Sequence, residues 1–360
     1  MTFKRQKWSH LVVNSGLDRY TVPIFSACAD SRKVPLLKTL MSSNCQNNCK
    51  FCAIRCEKKM GRERWEPGEL ANITFKLWKF RKIQGLFLSS SVERDPNYTV
   101  EKEIETVSLL RKMGFTAYTH LRLMPGTDIE LIKQSVEIAD RVGINIEFPG
   151  KDHYNDMKIF LDFKQDIIKR IKFLSRKIKK IQKEGRCKAG LDTQMVVGAS
   201  DETDKQILDI SEWLYKKLDA RRVYYSAFEP MKNTPLEKKT AENKWREYRL
   251  YQCSFLIQKY NFHARDFVLD DFDKLPINQD PKLMIVRKLE MRVDVNNCGF
   301  EDLIKVPGIG LKTAASIIQN KPIKNLQQLK KTRCFEQGIP VHQFERRNSN
   351  KSKFLEINPM

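Results

Sequence analysis

The sequence predicts an α/β fold built from repeated strand–helix units. Six short apolar runs have the character of buried strands, and they lie at 36–41, 85–89, 117–124, 143–148, 194–197 and 223–228. Six segments with helical apolar spacing alternate with them, at 67–82, 99–113, 127–140, 157–184, 202–218 and 237–260. This alternation favours a parallel sheet, and the nearly continuous apolar character of the strands suits a sheet covered on both faces. An open barrel of six units and a doubly wound sheet both fit the pattern.

The composition points to an intracellular protein with a polyanionic partner. The 360 residues carry 66 Lys and Arg against 44 Asp and Glu, a net charge of +22. Such an excess favours nucleic acid as a partner, although a generally basic surface fits as well. No apolar run approaches the roughly 18 residues that span a bilayer. The basic N-terminus leads into no apolar secretory core, so we expect no signal peptide and a cytoplasmic location.

A cluster of cysteines follows the first predicted strand. Cys45, Cys49 and Cys52 have the spacing Cys-x3-Cys-x2-Cys, and the nine cysteines of the chain are otherwise unevenly spaced, unlike a disulfide framework. Three thiolates on one loop can hold three irons of a 4Fe–4S cluster and leave the fourth iron open. A zinc site that includes Cys56, or purely structural cysteines, are the alternatives. The position at the carboxyl end of a strand, where parallel sheets hold ligands, favours the cluster.

The cysteine motif resembles that of the radical S-adenosylmethionine (SAM) superfamily, because an aromatic residue, Phe51, precedes the third cysteine. That position is usually Tyr, so a hydroxyl is missing here, and Cys56 is an addition to the usual pattern. Five further stretches are similar to one family of radical SAM proteins, named for DNA modification or repair and linked to a uracil-DNA-glycosylase-like partner: 33–38, 85–91, 194–199, 222–228 and 306–310.

The resemblance implies a fold, two cofactors and partners. The fold is a partial (βα)6 TIM-like barrel of the radical SAM type, which we expect over 31–265 after an N-terminal extension at 1–30. The cofactors are the 4Fe–4S cluster and SAM, which the reduced cluster cleaves to a 5′-deoxyadenosyl radical. An electron donor such as flavodoxin or ferredoxin is implied as well. Association with a membrane is not expected.

Polar residues at strand ends are the candidates for SAM binding. Ser89, Ser90 and Ser91 stand where the superfamily has a Gly-Gly-Glu type of turn. Asn145 and Glu147 alternate with apolar residues on the predicted fourth strand, and Gln194 lies on the fifth. Polar side chains within buried strands need partners, so these side chains are expected to face the barrel mouth. His120 and Arg122 are further candidates for a carboxylate. Internal hydrogen bonds are the alternative for each of them.

The C-terminal part predicts a small all-α domain. A turn-rich linker at 266–294 precedes a helix-hairpin-helix at 295–335, with a third helix at 326–331 and a flexible basic tail at 336–360. Phe300, Leu303 and Ile304 form one predicted helix face, and the second comprises Leu311, Ala314, Ala315 and Ile318. The turn between the helices exposes a helix N-terminus that suits a DNA phosphate. Its candidate contacts are Gly308, Ile309, Gly310, Lys312 and Thr313.

Three functional hypotheses follow from these features. The first is a radical SAM enzyme acting on DNA, and the second is the same chemistry on RNA. The third is a DNA-binding iron–sulfur protein with a structural or redox-sensing cluster, although only Cys334 follows Gly310, where glycosylases of that kind carry four cysteines. The sequence identifies no catalytic acid or base. Tyr224, Tyr225 and Cys253 are redox-capable, and a structural role fits each of them.

Overall fold

The computed structural model describes residues 23–29, 32–289 and 293–323. The chain divides into two compact units. The first, here called the sheet unit, comprises Met1–Glu202 and Trp213–Asn243, and the second, the C-terminal unit, comprises Thr203–Glu212 and Lys244–Met360. The C-terminal unit therefore takes in the last helix that the sequence assigned to the barrel.

The sheet unit is built on a seven-stranded sheet whose spatial order follows the chain. β1 (Ile24–Ala29) pairs antiparallel with β2 (Arg32–Leu40). Five strands then follow in parallel: β3 (Gly85–Ser89), β4 (Tyr118–Leu123), β5 (Arg141–Ile144), β6 (Gly190–Val197) and β7 (Arg222–Ala227). A doubly wound sheet reverses its strand order at a switch point. This order never reverses, so the sheet is a curled half-barrel.

Two details of the sheet differ from the sequence prediction. Residues 24–29, expected within an N-terminal extension, form the edge strand β1. The strand predicted at 143–148 is β5, which begins at Arg141 and ends at Ile144. Asn145 and Glu147 therefore follow the strand, and Glu147 has a φ of 59° and forms a single bridge to Met195. The left-handed backbone at Glu147 ends the regular pairing of β5.

Helices follow the parallel strands, as expected. They are α1 (Pro67–Lys79), α2 (Pro96–Lys112), α3 (Ile129–Ile138), α4 (Lys151–Asp156), α5 (Lys169–Gln182) and α6 (Asp204–Leu218). The helix predicted at 157–184 is divided, because Lys158 has a φ of 51° and a π-helical turn, Phe163–Ile168, precedes α5. Among the described residues, no helix is long and apolar enough to cross a membrane.

The two faces of the sheet have different chemistry, which corrects the expectation of strands that are apolar on both sides. One face is mostly apolar and covered by the helices, with Leu37, Leu86, Leu121, Val142 and Val223 all at 0% exposure, and it also holds the buried threonines Thr39, Thr119 and Thr193. The alternate positions carry mostly polar and aromatic side chains. Successive strand residues point to opposite faces, so these side chains line the inner face of the half-barrel.

The C-terminal unit is helical, with α7 (Lys244–Lys259), a 3-10 turn (Ala264–Asp266), α8 (Pro281–Leu289), α9 (Phe300–Leu303) and α10 (Leu311–Gln319). A buried ion pair joins Arg246 Nε to Asp204 Oδ1 at 2.8 Å. The predicted face of the second hairpin helix is wrong at one position, because Ile317 is buried whereas Ile318 is 37% exposed. The predicted helix at 326–331, the tail at 336–360 and Cys334 lie outside the described residues.

Candidate active site

Three free thiols lie on the loop that follows β2. Cys45, Cys49 and Cys52 are half-buried and unpaired, whereas Cys56 is exposed. The loop turns tightly, with the Cys52 N–H donating to the Cys49 carbonyl at 3.2 Å. It stands at the carboxyl ends of the parallel strands, which is the edge where such sheets hold ligands.

One arginine organises the cysteine loop. The Arg62 guanidinium donates to the carbonyls of residues on both sides of the thiols, at 2.6 Å to Ser43, 2.7 Å to Ile54 and 2.6 Å to Arg55. The same group lies 3.1 Å from the Lys58 carbonyl. Five N–H donors in a rigid fork suit this task. Sequence reasoning did not single out Arg62, since nothing in its spacing signals such a role.

Aromatic and ionic contacts tie the loop to the region after β5. The ring of Phe51 packs edge-on against Phe148, with centroids 5.3 Å apart. The Lys50 ammonium lies 3.1 Å from an oxygen of Asp156. The backbone N–H of Lys50 donates to the Met157 carbonyl at 3.0 Å. The packing of the Phe51 ring thus needs no hydroxyl.

The thiols are close enough to influence one another. Burial raises the pKa of Cys52 to about 12, and burial and the neighbouring Cys52 and Cys45 raise the pKa of Cys49. Within the described chain, no three His, Cys, Asp or Glu side chains are arranged around a single metal ion. A cluster ligated through three separate irons does not require such convergence, and thiolates are its usual ligands. The donor set therefore fits a cluster better than a zinc site with Cys56.

A continuous polar network lines the inner face beneath this loop. Asp192, at 0% exposure, is in contact with His120 Nε2 at 3.1 Å and Arg122 Nη2 at 2.7 Å. Arg122 also donates to the Asn145 side-chain oxygen, and the Asn145 amide donates to a Glu147 oxygen at 2.8 Å. The structure thus brings together four residues that the sequence suggested, through an Asp192 that it did not.

The network has a defined charge state. Burial lowers the pKa of His120 to about 4, so the ring is neutral at pH 7 and its Nε2–H donates to Asp192. Burial alone would raise the pKa of Asp192, but Arg122 and His120 hold it well below its usual range. Burial raises the pKa of Glu147, against the opposing hydrogen bond from Asn145. Asp192 is therefore the ionised acid that anchors Arg122.

Gly143 provides the space that the Asp192 carboxylate occupies. A Cβ at this position would overlap with Asp192 Oδ1 and lie 2.6 Å from the Asp192 backbone oxygen. It would also stand 3.1 Å from Arg122 Nε. The close approach of β5 and β6 therefore depends on the missing side chain at this position.

The three predicted serines differ in their contacts. The Ser90 hydroxyl accepts from the Ser42 N–H at 3.1 Å, so it ties β3 to the start of the cysteine loop. The Ser91 hydroxyl is buried and has no hydrogen-bond partner among the described residues. Ser89 ends β3 and is half-buried. An orphaned buried hydroxyl is costly unless a ligand meets it, so Ser91 fits a cofactor seat better than Ser90.

Gln194 and the redox-capable residues occupy separate environments. The Gln194 carbonyl accepts from the Glu147 N–H at 3.0 Å, while its half-buried side chain makes no hydrogen bond within the described chain. The Tyr224 hydroxyl lies 3.4 Å from Arg141 Nη1 on the inner face. Tyr225 and Cys253 are buried, the latter in the C-terminal unit.

The hairpin residues gather at the start of α10. Gly308 is exposed with a φ of 79°, and Gly310 precedes the first helical residue. Lys312 is exposed and Thr313 half-buried, whereas the Ile309 side chain is buried, so only its backbone can meet a ligand.

Two residues that the sequence did not suggest hold this turn. Lys282 Nζ donates to the Ile309 carbonyl at 2.8 Å and lies 4.7 Å from the ring centre of Tyr260. The Tyr260 hydroxyl in turn accepts from the Leu311 N–H. One N–H group of the helix start, that of Leu311, is therefore already hydrogen-bonded within the protein.

Comparison with known proteins gives limited likenesses. Residues 290–345 match the helix-hairpin-helix motif family. No curated protein sequence matches the chain. Solved structures are similar to part of the chain at low identity. Methylornithine synthase (PylB) has a TM-score of 0.48 at 19% identity, over 62% of each chain.

Two further structures have lower TM-scores. The FeFe-hydrogenase maturase HydG from Carboxydothermus hydrogenoformans has a TM-score of 0.47 at 12% identity, over 62% of this chain and 51% of its own. The cobalamin-dependent SAM radical enzyme OxsB has a TM-score of 0.39 at 13% identity, over 82% of this chain and 44% of its own. The chain thus spans between 44% and 62% of the length of these three proteins. The strand pairing of the chain itself establishes the half-barrel.

Proposed function

We propose that the chain is a radical SAM enzyme that acts on DNA. The observation that carries the proposal is the placement of three free thiols, Cys45, Cys49 and Cys52, at the carboxyl edge of a half-barrel with a polar inner face. The thiols would hold a 4Fe–4S cluster with one open iron. SAM bound at that iron supplies a 5′-deoxyadenosyl radical on one-electron reduction.

The residues of the chain place and shield the cofactors. Arg62 fixes the cysteine loop through its carbonyls. Ser91 offers an unpaired hydroxyl, and Asn145 and Glu147 present polar atoms near the thiols, held in place by Arg122. In this arrangement, Asn145 and Glu147 receive the polar groups of SAM.

The hairpin of the C-terminal unit supplies affinity for the DNA backbone. The match to the helix-hairpin-helix family, the exposed Lys312 and the helix start at Leu311 support this role. The sequence resemblance supports a place in DNA modification or repair in the cytoplasm. It also supports a uracil-DNA-glycosylase-like partner and a flavodoxin or ferredoxin as electron donor.

The decisive experiment is anaerobic. The protein is reconstituted with iron and sulfide, reduced and mixed with SAM, and 5′-deoxyadenosine is measured with and without duplex DNA. We expect product that duplex DNA increases, and none from Cys49→Ala. Cys56→Ala is the matched control, since this exposed thiol lies outside the proposed ligand set. A fully loaded cluster that yields no product would refute the enzyme and favour the redox-sensing iron–sulfur protein.

The SAM seat has its own test. Equilibrium dialysis of labelled SAM with the reconstituted protein should show lost binding in an Asn145→Ala, Glu147→Ala double variant. Unchanged affinity, with the cluster content of the wild type, would remove both residues from the SAM site.

DNA binding is tested by fluorescence anisotropy with a duplex of arbitrary sequence. We expect Lys312→Ala to weaken binding and to reduce its salt dependence by about one counterion. Lys82→Ala removes the same charge from an exposed site in the sheet unit and serves as the control. Affinity that 0.5 M salt leaves unchanged would contradict backbone binding. Stronger binding of a matched RNA duplex would favour RNA as the substrate.

A further inference from the structure

One row of the inner face carries two cations without carboxylate partners. The strand register places Lys38 beside Phe87, Phe87 beside His120, and His120 beside Arg141. Residues paired in this way share a face. The flanking row points the other way and is buried, with Leu37, Leu86 and Thr119 all at 0% exposure. Lys38 and Arg141 therefore belong to the floor of the half-barrel.

Lys38 has no anionic partner in the part of the chain that the structure describes. Its ammonium lies 5.4 Å from the ring centre of Phe87 and 5.3 Å from that of Phe25. Over the described chain, no carboxylate lies within ion-pair distance of this ammonium, and the ammonium makes no hydrogen bond. The side chain is half-buried, so the ammonium is partly shielded from water and faces only neutral aromatic rings.

Arg141 makes no ion pair at contact distance among the described residues, although the charge of the Asp192 carboxylate acts on it. Its guanidinium donates to the Ala189 carbonyl at 3.1 Å and meets the Tyr224 hydroxyl at 3.4 Å, and both of these groups are neutral. Arg122 differs, because Asp192 compensates its charge. His120 between them is neutral at pH 7. The floor thus carries more positive charge than its acids offset.

Such an arrangement costs free energy unless an anion is bound. Burial and the charge of Arg122 lower the pKa of Lys38. A cation held away from water needs an anion or neutralises itself. The rings of Phe87 and Phe25 attract the ammonium of Lys38, but they carry no net negative charge that would neutralise it. A bound anion would account for the charge.

Depth and shape indicate which ligand the floor receives. Lys38 pairs with Phe87, two residues before Ser89, so it lies about 7 Å deeper than the proposed SAM seat. Around it stand aromatic surfaces, with Phe87 stacked on His120 at 4.3 Å and Tyr224 beside Arg141. Among the described residues, β1 and β7 end the sheet without pairing to each other. Cations beside aromatic rings are the surfaces that bind nucleotides.

We propose that the floor of the half-barrel is an anion-binding subsite, with Lys38 as its direct contact and Arg141 as a second positive charge, and that it receives a phosphate group of a nucleotide substrate. The inference rests on the proposed function, because it assigns the substrate's phosphate to a place in the same half-barrel. It adds that a nucleotide unit enters the barrel, beyond the backbone contacts of the hairpin.

The test reads Lys38 directly in the full-length protein. The wild type is acylated with limiting acetic anhydride, and the modification of each lysine is measured by mass spectrometry. The probes are the four 2′-deoxynucleoside 5′-monophosphates, the matching deoxynucleosides, and SAM. Lys177 is the reference, since it is a half-buried lysine on α5 that pairs with Glu137 on the helical side of the sheet unit.

We expect at least one monophosphate to slow the acylation of Lys38 while its nucleoside does not, with Lys177 unchanged. Equal protection by the nucleoside would mean that the base and not the phosphate is bound, which overturns the proposal. Protection by SAM alone would assign Lys38 to the cofactor carboxylate and overturn it as well. Absence of protection by every probe would do the same.

Two variants give an independent measurement. Equilibrium dialysis of the protecting monophosphate should show about tenfold weaker binding to Lys38→Met, the loss expected for one charge-assisted contact, and near wild-type binding to Lys38→Arg. Equal binding to wild type and Lys38→Met would refute the subsite. The 5′-deoxyadenosine assay on the wild type separates the two proposals. Formation of 5′-deoxyadenosine without any protection of Lys38 would refute the subsite alone. Protection of Lys38 without 5′-deoxyadenosine would refute only the radical chemistry.

Discussion

Replacing Gly143 with alanine should disrupt the buried network that supports the candidate active site. The new Cβ would overlap with Asp192 Oδ1, and a rotation of that carboxylate would break its contacts with Arg122 and His120. Rotation would not relieve the second clash, since the Asp192 backbone oxygen stays 2.6 Å from the Cβ. Relief then requires β5 and β6 to move apart.

The magnitude follows from the displaced ion pair. Separating a buried charge from its partner costs about 3–5 kcal/mol, and Asp192 has 0% exposure. We therefore expect Gly143→Ala to lower the free energy of unfolding by at least about 3 kcal/mol. Urea denaturation followed by far-ultraviolet circular dichroism measures this change.

A second glycine-to-alanine change serves as the matched control, and its expected effect on stability has the opposite sign. Gly68 lies in α1, and no atom stands within 4 Å of the place that its Cβ would take. Gly68→Ala should stabilise the protein by about 0.4–1 kcal/mol, because alanine restricts the unfolded chain. A Gly143→Ala variant within about 1 kcal/mol of the wild type would refute the account of the network.

A double-mutant cycle separates the two clashes. In an Asp192→Ala background the carboxylate is gone, but the backbone oxygen at 2.6 Å remains. Gly143→Ala should therefore cost less in that background than in the wild type, while still being destabilising. Equal costs in both backgrounds would mean that the carboxylate plays no part in the effect.

Three further predictions concern the network, the cysteine loop and the hairpin. The pKa of His120 is about 4 in the folded protein, below the usual 6.5, so the unfolded chain takes up the proton first. The free energy of unfolding should therefore fall by about 3 kcal/mol between pH 6.5 and 4 in the wild type, and His120→Gln should lack this fall. Parallel stability curves for the two proteins would contradict it. Arg62→Lys should leave carbonyls of the cysteine loop unpaired, lower the free energy of unfolding by about 1–3 kcal/mol and reduce the iron bound after reconstitution. Arg64→Lys is the control, since the Arg64 side chain pairs with Glu93 instead. Equal iron content in the two variants would count against the role of Arg62 in fixing the loop. Gly308→Ala should destabilise the hairpin by about 1–2 kcal/mol because Gly308 has a φ of 79°, whereas Gly299→Ala, at a φ of −86°, should not. Hydrogen exchange of the amides in α10 measures the change. Equal exchange in the two variants would show that the turn tolerates a side chain.

Sequence periodicity predicted most of the elements because local patterns encode them. The parallel strands and most of the helices of the half-barrel lie within a few residues of their expected positions. β1 escaped prediction although five of its six residues are apolar and only Ser26 is polar, so its sequence carried a strand signal that the prediction passed over. The helix predicted at 157–184 was too long because apolar spacing does not reveal the left-handed residue Lys158.

The site divides in the same way between local pattern and tertiary structure. The spacing of Cys45, Cys49 and Cys52 is local, so the sequence alone was enough to single out the loop, and a ligand role for these residues stays a prediction. Asn145 and Glu147 stood out as polar residues beside apolar ones, and Asp192 in β6 carried the same signal without being recognised.

Only the tertiary structure decided which residues meet. His120 and Asp192 are 72 residues apart, and their contact exists because the register of β4, β5 and β6 aligns them on one face. The same register leaves Lys38 without an acid beside it among the described residues, a fact that no spacing in the sequence contains. Charge pairing across parallel strands depends on separations set by the intervening helices, and these separations are not periodic.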